Sequence, residues 1–357
     1  MKVLHFVHNY YGFSGASQQA HNIALNLKMY HPEIEQRFFT IDQKNNTNKS
    51  DEFIIYSTTT SLLKKCIVFI SVVLKYKPDL VHFHGADFSL LIICKLFGIK
   101  IYWKTTLLSS DDFASLTKGK HGYLKKNLLR LIDVNNTLTQ QIYKINSQYL
   151  SPLKLVTIPN GVDVPDEKKI EKKEKLALIV SAIIPRKSII EGIKFFHSHL
   201  SNHGYTLYII GPNNNKLEGF DNEYHKTCLS FSELNVKFVG ELTHKETLEY
   251  FKKSQFLIHL AKYEGMPNVV LEAMAHSVFP IVSSMGGLAN ELIENNVTGF
   301  NVDIYGKFEI STFPPHNMQG RDFILRKNSF KVIVNETYSI YSNILLKNKE
   351  KPSQKLK

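Results

Sequence analysis

The stretch from Phe256 to Glu291, FLIHLAKYEGMPNVVLEAMAHSVFPIVSSMGGLANE, constrains the fold more than any other part of the chain. An apolar run, Phe256 to Leu260, breaks at a polar corner holding Gly265 and Pro267, and an apolar pattern at helical spacing (Val269, Val270, Leu271, Ala273, Met274) starts at once. A second apolar run, Phe279 to Val282, ends at Ser283 and Ser284 and is followed by Gly286, Gly287 and another helical pattern. Strand, tight loop and helix, repeated, read as βα units of a parallel sheet. Both loops then lie at the carboxyl ends of strands, the edge where open α/β sheets bind ligands. Glu264 and Glu272, with seven residues between them, put one carboxylate at the start of the first loop and another inside its helix.

The same strand and helix alternation runs through the chain, and 357 residues suffice for two α/β domains, each burying its own sheet. A hydrophobic fraction of 43% against 21% charged residues excludes a disordered chain. The charged, nearly apolar-free segment from Pro165 to Lys175 marks the boundary. The predicted domains are therefore 1–164 and 165–329, with a closing helix near 330–346 packing back on the first. Cys66, Cys94 and Cys228 lie far apart in or beside apolar segments, which predicts reduced core thiols and a reducing, cytoplasmic compartment. The N-terminal run is broken at His8 and Asn9, so it reads as a first buried strand and not as a signal peptide. Leu62 to Tyr76 reads as a helix whose apolar residues face the sheet, and no apolar run approaches the roughly 18 residues of a membrane span.

A formal net charge of +12 calls for a polyanionic partner. The basic residues are spread out and no nucleic-acid recognition motif occurs, leaving anionic lipid or a phosphorylated substrate. Lys118 to Arg130, KGKHGYLKKNLLR, reads equally as a lipid-facing surface or a solvated helix face.

Several residues then point to a phosphate-bearing ligand. The loop ending in Ser14 and Gly15 joins the first strand to an amphipathic helix and aims backbone N–H groups beyond it. Arg186 and Lys187 stand between a strand and a helix, where a cation meets a diphosphate. Glu264 suits sugar hydroxyls, and Glu272, about two turns further on, suits the paired hydroxyls of a ribose. His82 and His84 alternate onto one strand face as half of a metal site, but no second ligand pair has metal spacing, so no metal is expected. His84 reads instead as a cleft-facing or core histidine. Asp111 and Asp112 would orient an acceptor hydroxyl or cap the following helix.

The stretch YEGMPNVVLEAMAHSVFPIVSSMGGLANELIENNVTGFNV resembles the signature of the retaining glycosyltransferases of family 4. Ile158 to Asp163 (IPNGVD), the Lys187 corner, VGEL, KPDLVHFHG and FSGAS match in the family's order over nearly the whole chain. The resemblance implies the GT-B fold, two Rossmann-like doubly wound domains facing each other across a cleft. It implies a hexosyltransferase-type reaction, retaining and without metal or other cofactor, from a nucleotide diphosphate sugar to a hydroxyl of a glycan or lipid-linked acceptor. Surface polysaccharide assembly on the cytoplasmic side of a membrane, held peripherally through basic first-domain residues, is the setting it suggests. By the family pattern Glu264 positions the donor sugar, Gly265, Met266, Pro267 and Asn268 meet its hydroxyls and phosphate, Glu272 holds the ribose, Lys187 neutralises the diphosphate, and Gly15 admits it near the first-domain backbone. This chain departs from the pattern in three places. Ser181 and Ala182 stand where the family has Gly-Arg, leaving Arg186 as the substitute; the paired glycines are reduced to Ser14 and Gly15; and Lys104 or Thr106 stands near the place of a first-domain His, on the acceptor side with His84, Asp111 and Asp112. A non-catalytic nucleotide-sugar or glycan-binding protein and a nucleotide-sugar epimerase on the same fold are the alternatives.

Overall fold

The structure, a computed structural model, describes residues 1–10, 15–41, 52–167, 171–212, 219–232, 235–304 and 307–346. Ser14 lies outside them. The chain divides into two compact units, one of Met1–Gly161 with Phe330–Lys357 and one of Val162–Ser329.

The first unit runs β1 (Lys2–Val7), α1 (Gly15–Tyr30), β2 (Glu35–Thr40), β3 (Ile54–Ser57), α2 (Leu62–Tyr76), β4 (Leu80–Phe83), α3 (Phe88–Leu96), β5 (Lys100–Thr105), α4 (Phe113–Leu116), α5 (Gly122–Leu129), β6 (Val134–Thr137), α6 (Gln140–Asn146) and β7 (Leu155–Thr157). The second runs β8 (Leu176–Val180), α7 (Ile189–His199), β9 (Thr206–Ile210), α8 (Asn222–Leu229), β10 (Val236–Gly240), α9 (His244–Lys253), β11 (Phe256–His259), α10 (Asn268–Ala275), β12 (Phe279–Val282), α11 (Ala289–Leu292), β13 (Phe300–Asn301) and α12 (Met318–Lys327). The closing helix α13 (Phe330–Leu346) belongs to the first unit, where it packs on α1.

Both sheets are wholly parallel, in the orders β3-β2-β1-β4-β5-β6-β7 and β10-β9-β8-β11-β12-β13. Each is doubly wound, with strand order reversing at β1/β4 in one and at β8/β11 in the other. A crevice opens beyond the strand ends at such a reversal.

Strand alternation explains the two layers of the first unit. Leu4 and Phe6 face a core shared with Phe69 and Val72 of α2, Leu90 and Leu91 of α3 and Leu129 of α5. Val3 and Leu80 face the opposite core, with Ile23 and Leu27 of α1 and Val334 and Tyr341 of α13. Helix ends are set by local chemistry: the Asp87 carboxylate accepts from the N–H groups of Ser89 and Leu90 at the start of α3, and Thr243 with Glu246 forms a reciprocal capping box on α9.

One expectation fails in α2. Phe69, Val72, Val73 and Tyr76 face the sheet, but Leu62, Leu63, Ile67 and Leu74 are exposed. The helix is apolar nearly all round, and one sheet covers only one side of it. Among the described residues no helix is long and apolar enough to cross a membrane.

Candidate functional site

The reversal in the second sheet gathers most of the sequence-predicted groups. The loop after β8 makes a tight turn over Pro185–Lys187, closed by Ser188 in the left-handed region at φ 52°. The loop after β11 leads through Glu264, Gly265, Met266 and Pro267 into α10, whose first residue is Asn268. The two loops are tied where the Lys262 N–H donates to the Arg186 carbonyl at 3.0 Å.

Glu264 is the centre of this cluster. One carboxylate oxygen accepts from the Lys187 ammonium and from His259 Nε2, the latter at 3.2 Å. The other accepts from Arg186 Nη1 at 3.4 Å. Burial alone would raise the Glu264 pKa, but the His259 hydrogen bond and the Lys187 charge outweigh it and hold the carboxyl at about 2. Burial lowers the pKa of Lys187 against the opposing pull of Glu264, and burial keeps His259 below its ordinary value. Arg186 also donates to the Tyr263 carbonyl at 3.1 Å and lies over the Tyr263 ring. Pro267 occupies the cap position of α10 and provides no side-chain cap, so the helix presents its positive end at this crevice. Gly265 and Pro267 are buried, and Met266 packs against the adjacent core.

Glu272 stands about one turn into α10, where its Oε1 is 3.0 Å from His244 Nε2 at the start of α9. That hydrogen bond raises the His244 pKa against the effect of partial burial. Sequence reasoning missed His259 and His244. His259 ends the strand that delivers Glu264, and His244 follows the Thr243 cap, whose Thr-x-x-Glu pattern is readable in the sequence.

The remaining candidates lie in the first unit. Gly15 opens α1. His84 is buried next to His5, and Lys104 is buried with its ammonium 2.8 Å from Asn160 Oδ1 and its pKa lowered by burial to about 7. The Asp112 carboxylate caps α4 by accepting from the Ser115 N–H at 2.9 Å. Asp111 is enclosed by the N–H groups of Thr106 and Leu107 and the Thr106 hydroxyl. Both acids are thus engaged in holding the loop after β5.

Residues 163–309 match the family model described as glycosyl transferases group 1. The chain is 24% identical over 235 residues to the capsular polysaccharide biosynthesis glycosyltransferase CapH of Staphylococcus aureus, an alignment covering 61% of this chain and 62% of that protein. It is 21% identical over 264 residues to the phosphatidylinositol N-acetylglucosaminyltransferase gpi3 subunit of Schizosaccharomyces pombe, covering 69% of this chain and 55% of that protein. The chain thus spans only 62% and 55% of the lengths of these curated relatives. Among solved structures, Anabaena Alr3699/HepE in complex with UDP-glucose superposes with a TM-score of 0.74 at 16% identity, over 96% of this chain and 100% of that one. Sucrose-phosphate synthase from Thermosynechococcus elongatus superposes with a TM-score of 0.75 at 14% identity, over 97% and 99% of the two chains. The fold is GT-B.

Proposed function

We propose that this chain is a retaining glycosyltransferase that moves a sugar from a UDP- or GDP-sugar to a hydroxyl of a glycan or lipid-linked acceptor, in the assembly of a surface polysaccharide. The observation that carries this reading is the meeting of Lys187, Arg186, Glu264 and the start of α10 at the strand reversal of the second sheet. The likeness to a capsular polysaccharide glycosyltransferase and to a UDP-glucose complex supports it.

In this reading Lys187 and Arg186 take the diphosphate, and Glu272 takes the ribose hydroxyls. Glu264 holds the donor sugar, with Gly265, Met266, Pro267 and Asn268 lining its hydroxyls and phosphate. The chemistry needs charge stabilised on the departing diphosphate while the sugar becomes oxocarbenium-like; fixed cations and the positive helix end supply that without a bound metal.

The setting is the surface of an anionic membrane on the cytoplasmic side. Helices α2, α3 and α5 contain no acidic residue. Leu63, Ile67, Leu74, Leu96, Tyr123 and Leu124 on them are all more than half exposed, with Lys64, Lys75, Lys125 and Lys126 among them. Apolar side chains ringed by lysines suit anionic head groups, whereas a second copy would bring like charge against like.

The test is a panel of UDP- and GDP-sugars with and without lipid acceptor, scored for nucleotide release and product anomer. Failure to bind or turn over any donor would overturn the reading. Tight donor binding without product, across broad acceptors, would favour a binding protein, an outcome that the Ser181 and Ala182 departure makes worth separating. Interconverted sugar without acceptor would mark an epimerase.

A further inference from the structure

The first unit holds a second cluster that glycosyl transfer does not use. His5 on β1 stands opposite His82 on β4 in the parallel register, and His84 follows two residues on, so the three rings leave the same face of the sheet. All three are buried, and one nitrogen of each ring lies within 4.8 Å of one nitrogen of the other two. The sequence offered only the His82 and His84 pair; strand pairing supplies the third ring from 77 residues away in the chain, as 82 minus 5 gives.

The surrounding hydrogen bonds decide which nitrogens are free. The Gln36 amide donates to the Ala24 carbonyl at 3.0 Å, so its Oε1 is the acceptor for His5 Nε2, also at 3.0 Å. His5 Nδ1 therefore carries a lone pair and accepts from the His84 Nε2–H at 3.1 Å, so an ion that takes His84 Nε2 displaces that proton, which moves to His84 Nδ1. His82 Nδ1 is held by the Tyr341 hydroxyl of α13 at 2.5 Å. His82 Nε2 is buried with no hydrogen-bond partner among the described residues.

We propose that His5 Nδ1, His82 Nε2 and His84 Nε2 bind a single borderline divalent transition ion, Zn²⁺ foremost, that ties β1 to β4 and, through Tyr341, to the closing helix. Three neutral imidazoles with no thiolate suit Zn²⁺ and its neighbours, and a fourth position is left for water or hydroxide. With metal–nitrogen bonds of about 2.0–2.1 Å in a tetrahedron, two ligating rings have centroids about 5 Å apart. The His5–His82 and His5–His84 centroids are already at 5.3 and 5.4 Å. Only the His82–His84 stack, at 3.7 Å, has to open. Gln36 and Tyr341 occupy the outer positions that orient metal-ligating histidines. The opposing charge is Lys104, which acts on both His82 and His84 and whose ammonium is held 2.8 Å from Asn160 Oδ1.

Because the cluster is enclosed, the ion is supplied during folding. Untagged protein is produced in zinc-supplemented medium, or refolded with Zn²⁺ or Co²⁺, passed through gel filtration and assayed for metal by mass spectrometry. The expected result is one ion per chain, with Co²⁺ giving the intense visible bands of a tetrahedral nitrogen site. His82→Gln and His84→Gln should lose it, His203→Gln on the surface should keep it, and Gln36→Leu should weaken it about 10–100-fold. Should core variants fail to fold, imidazole ¹⁵N spectra of the wild-type protein made with and without Zn²⁺ decide the matter. Shifts confined to His5, His82 and His84 support the site. Wild-type protein retaining under a tenth of an equivalent, H82Q and H84Q retaining a full one, or shifts at other histidines would overturn it.

Discussion

The ammonium of Lys187 is spent on the carboxylate of Glu264, which ties the loop after β8 to the loop after β11. In the proposed reaction an arriving diphosphate takes Lys187 away from Glu264, and that exchange frees the carboxylate for the sugar. Glu264→Gln keeps the shape and removes the competition. UDP should then bind at least as tightly as to the wild type, while transfer falls on the order of 10²–10³-fold. Calorimetry with UDP beside turnover measurements checks both halves, and clearly weaker UDP binding would refute the competition.

The same carboxylate makes stability depend on pH in a defined window. Its pKa in the folded protein, about 2, lies below the ordinary 4.5, so its contribution is complete above 4.5 and is lost as pH falls towards 2. At about 1.4 kcal/mol per pKa unit the shift corresponds to on the order of 3 kcal/mol. Denaturant unfolding of the wild type and Glu264→Gln between these limits should show the two stabilities converging as the pH drops. Parallel curves would be contrary to the assigned cause.

His244 offers the opposite sign. Its pKa is raised by the Glu272 hydrogen bond, so the interaction is complete below the ordinary 6.5 and disappears as pH rises through the higher folded value. With Glu272 serving a ribose as proposed, nucleotide affinity should increase over that rise, as His244 loses its proton and releases its hold. An NMR titration should find His244 titrating above 6.5 in the wild type and closer to 6.5 in Glu272→Gln.

The meeting of Lys187 and Glu264 was legible because each sits where a strand pattern ends and a helix pattern begins, Lys187 after β8 and Glu264 after β11. Short-range chemistry was equally legible at Asp112, which caps α4. What could not be read was pairing at a distance. Nothing near His5 announces that β1 will lie beside β4 and set it opposite His82, because register is fixed by the whole sheet. The exposed side of α2 escaped for a related reason: its apolar residues nearly encircle the helix, so periodicity could not tell Phe69, in the core, from Ile67, outside it.

Gly211 follows β9 at φ 150°, and a Cβ there would lie 2.0 Å from the Ser181 carbonyl oxygen. The obstacle is backbone, at the first residue after β8 on the way to Lys187, and it cannot swing aside. Gly211→Ala is expected to cost on the order of 3 kcal/mol. Chemical denaturation measures this directly, and a loss below about 0.5 kcal/mol would show that the β8 and β9 ends yield more readily than the packing indicates.

Leu63 and Ile67 lie one helical turn apart on the outer side of α2, and both are more than half exposed. Burying each in a bilayer interface contributes about 1–2 kcal/mol, somewhat under the full transfer of such side chains. The lysines around them add about 1 kcal/mol each near an anionic surface, and that part is screened by salt. Wild-type protein should therefore sediment with phosphatidylglycerol vesicles and much less with phosphatidylcholine ones. High salt should weaken the association without abolishing it, since the apolar part persists. Leu63→Asp with Ile67→Asp should reduce binding at least tenfold at every salt concentration, while soluble-acceptor turnover and the melting temperature stay near wild type because neither residue is in the core. Equal sedimentation of the double variant and the wild type would assign the exposed face of α2 another partner.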